Sequence, residues 1–307
     1  LAQADMARAY GVHGFVYYHY WFHGRRLLER PFQEVLTSGE PDFPFALCWA
    51  NEPWTRRWDG GSDAFVQQSY SEDDDVRHVE AILPALLDRR YICVQGKPLL
   101  LVYRASLLPS AQRTIETWRE RAQAAGLAGL HLCRVEAYGE PKADPRPLGF
   151  DAAVEFQPDF DLFGQPRTAL DRAARQLTWR LHHSPAVRRD EYAGYIERVL
   201  SQPHPSYPRY PGVCPSWDNS ARVRRTALAL VGSRPDLFAD WIVDSIRRCG
   251  TPVEAQLLFV NAWNEWGEGC HLEPDRAIGR GWLEAIQRSV ARASALPEAG
   301  NTFRTVG

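Results

Sequence analysis

The sequence offers no framework of paired cysteines and no strong excess of charge of either sign. Its six cysteines, at positions 48, 93, 133, 214, 249 and 270, show no CxxC spacing, which favours buried free thiols over disulfides or a zinc site. This cysteine usage predicts a reducing compartment and hence a cytoplasmic location. The formal net charge is -2, so the chain is not expected to bind nucleic acid.

Long hydrophobic runs and phosphate-binding glycine loops are also missing. The longest apolar runs, such as 99–103 and 257–260, fall far short of the roughly 18 residues that a membrane span needs. No GxGxxG or GxxxxGK[ST] motif occurs, which leaves no signature of a nucleotide site. The acidic run 73–75 follows Ser71 at the predicted start of a helix, where it favours a helix cap over a metal site. We expect no membrane span, no cofactor and no metal.

The first residues suggest that the sequence begins within a structural element. Leu1 precedes a helical pattern over 2–10 that Gly11 ends. We therefore expect the native start to lie upstream of Leu1, where a signal peptide would not be visible.

Short apolar runs alternate with longer amphipathic stretches along the chain. The short runs are apolar on both faces, which is typical of parallel strands covered by helices. We predict strands near 14–21, 45–50, 98–103, 130–135, 152–156, 212–215 and 256–262. We predict helices near 26–36, 74–89, 112–125, 191–200, 222–249 and 282–294.

This alternation predicts an α/β fold of the (β/α)8 TIM-barrel type. About seven strand-then-helix units follow a leading helix, so the first barrel strand is expected upstream of residue 1. We expect residues 1–307 to form one barrel domain, in which 159–210 is an insertion over one face of the barrel. A doubly wound open sheet is the alternative, although its glycine-rich turn is missing.

Aromatic residues are abundant, at 12% of the chain with 11 Trp, and many stand beside polar side chains. Flat rings next to hydrogen-bonding groups suit sugars, whose faces stack on aromatic rings while their hydroxyls need donors and acceptors. Ordinary core tryptophans capped by polar neighbours remain the alternative.

Polar residues that follow barrel strands face a common pocket, and this rule selects candidate substrate-binding residues. They are Tyr18, His19, Trp21, Asn51, Glu52, Trp54, Arg56, Arg57, Trp58, Asp59, Glu155, Trp217, Asp218, Asn264 and Trp266. For some of these the residues leave alternatives open. His19 could be a core histidine, Arg56 or Arg57 could pair with Asp59 or bind an anionic group, and Asp218 could cap a helix.

The segment after the last predicted strand contains two glutamates. Glu265 and Glu268 flank Trp266 and Gly267, so a tight turn can direct both carboxylates into one cavity. Glycosidic bond cleavage uses such a pair, in which one carboxyl group keeps its proton while the other is ionised. The alternative is a solvated loop with two surface glutamates.

Five segments combine aromatic and polar residues: GFVYYHYWF (14–22), FPFALCWANE (43–52), WTRRWDG (54–60), PSWDN (215–219) and NAWNEWGEG (261–269). In these segments the chain resembles the WbsX family of O-antigen and polysaccharide-cluster proteins. That family is named for glycosyltransferases and is similar to glycoside hydrolase family 99, the endo-α-mannosidase and endo-mannanase barrels, so the resemblance implies one glycosidase-like barrel domain over 1–307.

The resemblance to family 99 implies catalytic roles for the two glutamates. The Glu-Trp-His-Glu motif of that family falls on Glu265 and Glu268, with Gly267 in place of its histidine. The resemblance then implies a retaining, endo-acting hydrolase with a 1,2-anhydro sugar intermediate. In that mechanism Glu265 removes the proton from the 2-hydroxyl of the sugar, and Glu268 acts as general acid and then as base.

The expected partner is an oligosaccharide or polysaccharide substrate, either a bacterial polysaccharide or a mannose-type glycan. Two alternatives to a hydrolase remain. One is a glycosyltransferase of O-antigen or polysaccharide biosynthesis, although no nucleotide-binding turn or Asp-x-Asp at a strand end is evident. The other is a carbohydrate-binding domain without turnover, which the retained pair of glutamates argues against.

Overall fold

The computed structural model describes residues 1–55, 64–164, 187–223, 227–248, 257–294 and 304–306. Its helices are α1 (Ala2–Ala9), α2 (Arg30–Ser38), α3 (Glu72–Leu86), α4 (Ala111–Ala124), α5 (Tyr192–Leu200), α6 (Pro235–Arg248) and α7 (Gly281–Ser294). Its strands are β1 (Val12–Phe22), β2 (Arg25–Leu27), β3 (Phe45–Trp49), β4 (Trp54–Thr55), β5 (Ala64–Val66), β6 (Cys93–Val94), β7 (Lys97–Val102), β8 (His131–Glu136), β9 (Ala152–Glu155), β10 (Arg188–Glu191), β11 (Arg209–Tyr210), β12 (Gly212–Val213), β13 (Leu228–Val231), β14 (Leu257–Val260), β15 (Asn264–Glu265), β16 (Cys270–His271) and β17 (Arg304–Val306).

The chain has a mixed α/β fold around a mostly parallel central sheet. Along the sheet the strands follow the order β11-β9-β8-β7-β3-β1-β17-β14-β12, and every pairing on this path is parallel. Two short strands, β2 and β6, add antiparallel pairs to β1 and β7. Because the path is parallel, the loops that follow its strands emerge at the same edge of the sheet.

The two ends of this path belong to one short stretch of chain. β11 pairs with β9, whereas β12 pairs with β14, and only Pro211 separates β11 from β12. Pro211 has no N–H to donate, but its carbonyl accepts a hydrogen bond from the N–H of Phe259 at 2.9 Å. Residues 209–213 therefore link the β9 side of the sheet to the β14 side.

The place between β14 and β1 is occupied by β17, which is parallel to both. A strand preceding α1 would belong at this place in the barrel predicted from the sequence. That upstream strand stays a prediction.

Helices pack against the buried strands in two hydrophobic clusters. All five residues of β3 are buried, and α3 and α4 pack against this region with Ile82, Trp118 and neighbouring side chains. The second cluster contains buried residues of α5, α6, α7 and β14. As predicted, Ser71 caps α3: its hydroxyl accepts from the N–H of Asp74 at 3.2 Å, a contact worth about 1 kcal/mol.

Two predicted helices are wrong in part. Residues 222–249 do not form one helix, because β13 occupies part of the stretch, Gly232 turns the chain with φ of 74°, and Pro235 begins α6. The helix predicted over 26–36 starts later, at Arg30, because residues 25–27 pair with β1 as a hairpin.

The described parts of 159–210 contain α5 and β10, and β10 pairs in parallel with β13. Residues 165–186 lie outside the described residues, so the insertion over the barrel face stays a prediction. Within the described ranges, no helix combines the length and apolar character that crossing a bilayer requires.

Candidate active site

A short hairpin after β14 carries the two glutamates singled out from the sequence. β15 and β16 pair antiparallel, and a 3₁₀ turn at Trp266–Glu268 joins them. Gly269 closes the turn with φ of 58°, a left-handed conformation in which glycine is the least strained residue. This hairpin places Glu265 before the turn and Glu268 within it.

The turn is fastened to the loop that follows β12. The N–H of Asp218 donates to the carbonyl oxygen of Glu268 at 2.7 Å, and the Ser216 hydroxyl donates to the carbonyl oxygen of Gly269 at 2.6 Å. The backbone beneath Glu268 is therefore held by hydrogen bonds from a second element.

The two carboxylates meet at the guanidinium of Arg222. Its Nη1 lies 3.5 Å from Oε1 of Glu265 and 3.2 Å from Oε1 of Glu268. The side chains of Glu265 and Glu268 are 39% and 24% exposed, and that of Arg222 is 52% exposed. A solvent-accessible cation thus brings the two glutamates together at one point.

The surroundings of Glu268 favour its protonated form near neutral pH. Burial raises the pKa of Glu268 to about 7, the charge of Glu265 adds to this effect, and Arg222 opposes it. A carboxyl group with this pKa can donate a proton at neutral pH and take one back later. Glu268 therefore has the properties of a general acid.

Tyrosines from the sheet stand close to the same carboxylates. Burial raises the pKa values of Tyr18 and Tyr20, and the charge of Glu265 contributes to both shifts. Burial likewise raises the pKa of Tyr103, with a contribution from Glu268. The rings of Tyr18 and Tyr103 lie edge to face with centroids 5.9 Å apart. Phenol side chains from β1 and from the end of β7 thus border the carboxylate pair.

Trp266 presents a half-exposed indole, 50% accessible, beside the glutamates. Its ring stacks on His271 with centroids 3.7 Å apart, and its Nε1 donates to Oε2 of Glu273 at 2.7 Å. These two contacts hold one face and the edge of the ring, so the other face can meet a ligand.

His19 and Trp21 lie in the layer between the sheet and α3. Successive residues of β1 point to opposite faces of the sheet, so these two side chains share one face. The Nε2 atoms of His19 and His78 are 3.1 Å apart, and Trp21 Nε1 donates to Oδ2 of Asp74 at 3.0 Å. Burial lowers the pKa of His19 to about 4. This placement matches the core alternative for His19 and puts both side chains on the opposite side of β1 from Tyr18.

Asn51 and Glu52 follow β3 and contact the loop after β7. The side chain of Asn51 is buried; its Oδ1 accepts from the N–H of Arg104 at 2.8 Å and its Nδ2 donates to the carbonyl of Arg104 at 2.9 Å. Oε1 of Glu52 pairs with Nη1 of Arg104 at 2.5 Å, and Arg104 also pairs with buried Glu140 at 2.9 Å. Asn51 thus ties two loops together, while Glu52 remains partly accessible.

Trp54 begins a small hairpin, β4–β5, and packs edge to face on Tyr20 at 5.3 Å. Trp54 therefore extends the group of rings that contains Tyr18 and Tyr20. The predicted residues Arg56, Arg57, Trp58 and Asp59 lie outside the described residues.

The remaining predicted residues follow β9, β12 and β14. Glu155 accepts from the N–H of Gly212 at 3.2 Å and pairs with Arg209 at 3.6 Å, and burial raises its pKa. Trp217 is buried, Asp218 accepts from the N–H of Ser220 at 2.9 Å, and Asn264 is exposed in β15. Asp218 thus combines a turn contact with its backbone hydrogen bond to Glu268.

Arg222 is the residue that sequence reasoning missed. It follows the PSWDN segment by three positions, but the apolar pattern of the stretch predicted a helix there. The structure instead ends that loop in a turn at Arg222, close to the carboxylates. An arginine three residues after a strand-end motif was the available signal.

Metal ligation has no candidate in this part of the chain. Across the described residues, no group of three or more His, Cys, Asp or Glu side chains is arranged to hold a metal ion.

Comparison with known sequences identifies relatives over nearly the whole chain. The profile of the family described as "Glycosyltransferase WbsX" matches residues 1–286. The protein described as "Uncharacterized protein WxcX" of Xanthomonas campestris pv. campestris is 37% identical over 294 residues, which is 95% of this chain but 41% of that protein. The chain therefore spans about two fifths of the length of this curated relative.

Comparison with solved structures finds a similar fold at low identity. A "Glycoside hydrolase-like protein" superposes with a TM-score of 0.55 at 12% identity, covering 94% of this chain and 84% of that one. The GH99 endo-alpha-mannosidase from Bacteroides thetaiotaomicron gives a TM-score of 0.51 at 13% identity, covering 95% of this chain and 78% of that one. At this identity the likeness concerns the fold alone.

Proposed function

Because this chain belongs to the family described as Glycosyltransferase WbsX, we propose that it acts on carbohydrate as an endo-acting, retaining glycoside hydrolase. The observation that carries the proposal is the pair Glu265 and Glu268, which share Arg222, together with the burial that raises the pKa of Glu268 to about 7. An ionised and a protonated carboxyl group side by side are the groups that glycosidic cleavage needs.

The proposed reaction is substrate-assisted. Glu265 removes the proton from the 2-hydroxyl of the sugar while Glu268 donates its proton to the departing glycosidic oxygen. The 2-oxygen attacks the anomeric carbon, the glycosidic bond breaks, and a 1,2-anhydro sugar forms. Glu268 then deprotonates a water that opens the three-membered ring at the anomeric carbon, and Glu265 returns a proton to the 2-oxygen. Two inversions give net retention, and both carboxyl groups regain their starting states.

The proposed architecture is a closed (β/α)8 barrel. Support comes from the parallel path of the sheet and from residues 209–213, which link its two ends. In such a barrel the loops after β1, β3, β7, β12 and β14 surround one pocket. The fold of the Bacteroides thetaiotaomicron enzyme supports the same arrangement.

Hydrolysis without an activated donor tests this function. The pure protein is incubated with α-manno-oligosaccharides and with bacterial surface polysaccharides, with chelator present and without nucleotide sugar. We expect new reducing ends to appear. A strict requirement for a nucleotide sugar would instead support a glycosyltransferase of polysaccharide biosynthesis, the function that the family description names. Tight binding without any product would support a carbohydrate-binding domain.

A further inference from the structure

A second group of aromatic rings lies in the loops after β8, β9 and β12. Tyr138 is 63% exposed, and its ring packs edge to face on Phe160 with centroids 5.5 Å apart. Phe160 in turn packs on buried Trp217 at 5.4 Å. An exposed tyrosine is thus held by a chain of ring contacts that ends one residue before Asp218.

This group connects directly to the carboxylate turn. The N–H of Asp218, next to Trp217, donates to the carbonyl oxygen of Glu268 at 2.7 Å. The backbone hydrogen bond therefore fastens the segment that carries Trp217 to the turn, and Phe160 and Tyr138 are joined to that segment by ring contacts.

The strand order places the two aromatic groups on opposite sides of the glutamates. Glu265 and Glu268 follow β14, whose neighbours are β12 on one side and β17, then β1, on the other. The Tyr18–Tyr20–Trp54 group belongs to the β1 side. The Tyr138–Phe160–Trp217 group belongs to the β12 side, which continues through β11 to β9 and β8.

Charged groups beside the second aromatic group are already paired with one another. Lys142 Nζ lies 2.6 Å from Oδ2 of Asp159 and 3.1 Å from Oδ2 of Asp161, and these aspartates flank Phe160 in sequence. A neutral ring surface bordered by paired polar groups suits an uncharged sugar, which stacks on the ring and hydrogen-bonds at its edge.

We propose that Tyr138 and Phe160 form a sugar-binding subsite on the side of Glu265 and Glu268 opposite to Tyr18 and Trp54. The bound glycan chain then crosses the carboxylates, with sugar residues on both sides of the bond that is cleaved. This inference rests on the proposed hydrolase function and adds where the chain continues beyond the reacting sugar.

The experiment compares substrate lengths in the active protein and in two Tyr138 variants. Hydrolysis of α-manno-oligosaccharides of two to six residues is followed for the parent, for Tyr138→Ala and for Tyr138→Phe. For Tyr138→Ala we expect kcat/KM to fall roughly tenfold for the hexasaccharide, the scale of one lost stacking contact, and to stay unchanged for the disaccharide. Tyr138→Phe keeps the ring and should retain most of the parent rate.

Leu87→Ala is the matched control, because Leu87 is also an exposed apolar residue but follows the last residue of α3, away from the site. Equal losses for short and long substrates in Tyr138→Ala, or a similar loss in Leu87→Ala, would overturn the subsite while leaving the hydrolase function intact. A parent protein that releases new reducing ends neither from these oligosaccharides nor from bacterial surface polysaccharides would instead reject the proposed function, and this inference with it.

Discussion

At the scale of single residues, Glu265 and Glu268 differ although only two positions separate them. Both contact the same guanidinium atom of Arg222, but Glu268 lies deeper and its pKa is raised to about 7. Desolvation disfavours a charged carboxylate, and a neighbouring negative charge adds to that effect. Burial therefore lets Glu268 hold a proton near neutral pH, as the proposed general acid must.

Replacing Glu268 removes the proposed general acid. We expect Glu268→Gln to lower kcat by roughly 10² to 10⁴, the usual contribution of a positioned acid or base, with little change in stability because the amide is nearly isosteric. Glu34→Gln is a suitable control, since Glu34 is an exposed glutamate paired with Arg30 on α2. Steady-state kinetics that show the same rate for Glu268→Gln and the parent would exclude the role.

Arg222 should control the pH range of activity. It lowers the pKa of Glu268 against the larger effect of burial. In Arg222→Ala the carboxyl group of Glu268 keeps its proton to higher pH, so the limb of the pH–rate profile that reports the general acid should move upward. The loss of a charge-assisted contact should also reduce the rate at neutral pH by about tenfold.

A purely structural role for Arg222 would lower the rate equally at every pH. Arg113→Ala provides the control, because it removes the same charge from an exposed ion pair with Glu72. Profiles of the two variants that coincide would contradict the assignment.

His19 and His78 should make the protein less stable in acid. A histidine in an unfolded chain titrates near 6.5, whereas burial lowers the pKa of folded His19 to about 4 and that of His78 as well. Between these values only the unfolded state binds the proton. The free energy of unfolding therefore decreases as the pH falls from about 6.5 towards 4, by up to about 3 kcal/mol for His19.

Urea denaturation at pH 7, 6 and 5 measures this dependence. Asp75 acts in the opposite direction, because burial raises its pKa to about 6, so the histidine contribution is isolated by comparison with His19→Phe/His78→Phe. The double variant should show a smaller loss of stability over this range. An identical slope in both proteins would mean that the pair does not titrate as described.

At the scale of elements, the two glycines of the turn that carries Glu268 have different structural roles. Gly269 has φ of 58°, and an added Cβ would lie 3.1 Å from the backbone N and O of Asp218. Gly267 has no positive φ, and its added Cβ would meet only side-chain atoms, Oε1 of Glu265 at 3.4 Å and Cδ of Arg222 at 3.9 Å.

Substituting each glycine should distinguish the backbone role of Gly269 from the open space that Gly267 leaves beside Glu265. We expect Gly269→Ala to destabilise the protein by roughly 1–3 kcal/mol and to impair catalysis, because the turn must move away from Asp218. Gly267→His should leave stability within about 0.5 kcal/mol and change KM or substrate preference, because the imidazole would enter the space beside Glu265. Thermal unfolding and kinetics on both variants provide the measurement, and the reverse order of stability would refute the argument.

An element or a site residue could be predicted from the sequence where neighbouring residues in the chain determine it. Buried strands such as β3, and α3 with its Ser71 cap, follow from apolar runs and helix-end signals in a few adjacent residues. The two glutamates were found because their motif is continuous. Arg222 was not singled out, because a turn brings it to residues more than 40 positions away in the sequence. The amphipathic pattern of the stretch that begins at Arg222 had instead predicted a helix.

Which side of a strand a residue faces was equally hard to predict. Tyr18 and His19 are adjacent, polar and aromatic, yet one lies beside Glu265 and the other contacts His78 on α3. The residue types do not distinguish Tyr18 from His19. What distinguishes them is which face of β1 packs against the covering helix. Predictions made for every residue at a strand end therefore mix side chains on the Glu265 face of the sheet with core side chains.

At the scale of the whole molecule, the long-range pairing of the sheet determines which loops lie near the turn that carries Glu265 and Glu268. Residues 209–213 pair with β9 on one side and with β14 on the other, so the loops after β8, β9 and β12 are brought around to the turn that carries Glu268. No local pattern encodes this connection, because it is made between strands about 50 residues apart on either side of Pro211.

The proposed reaction depends on a group that belongs to the substrate. If Glu265 acts as base towards the 2-hydroxyl, a substrate whose reacting sugar is 2-O-methylated lacks the proton and the nucleophile that the first step requires. We expect such an α-manno-oligosaccharide to bind with similar affinity wherever the methyl group is accommodated, yet to be cleaved at least 10³-fold more slowly, since both base catalysis and the internal attack are lost.

The matched control carries the methyl group on a sugar outside the cleaved linkage and should be cleaved normally. A carboxylate that attacked the anomeric carbon directly would not need the 2-hydroxyl, so efficient cleavage of the 2-O-methylated substrate with retention, followed by NMR of the newly formed anomer, would reassign Glu265 from base to nucleophile.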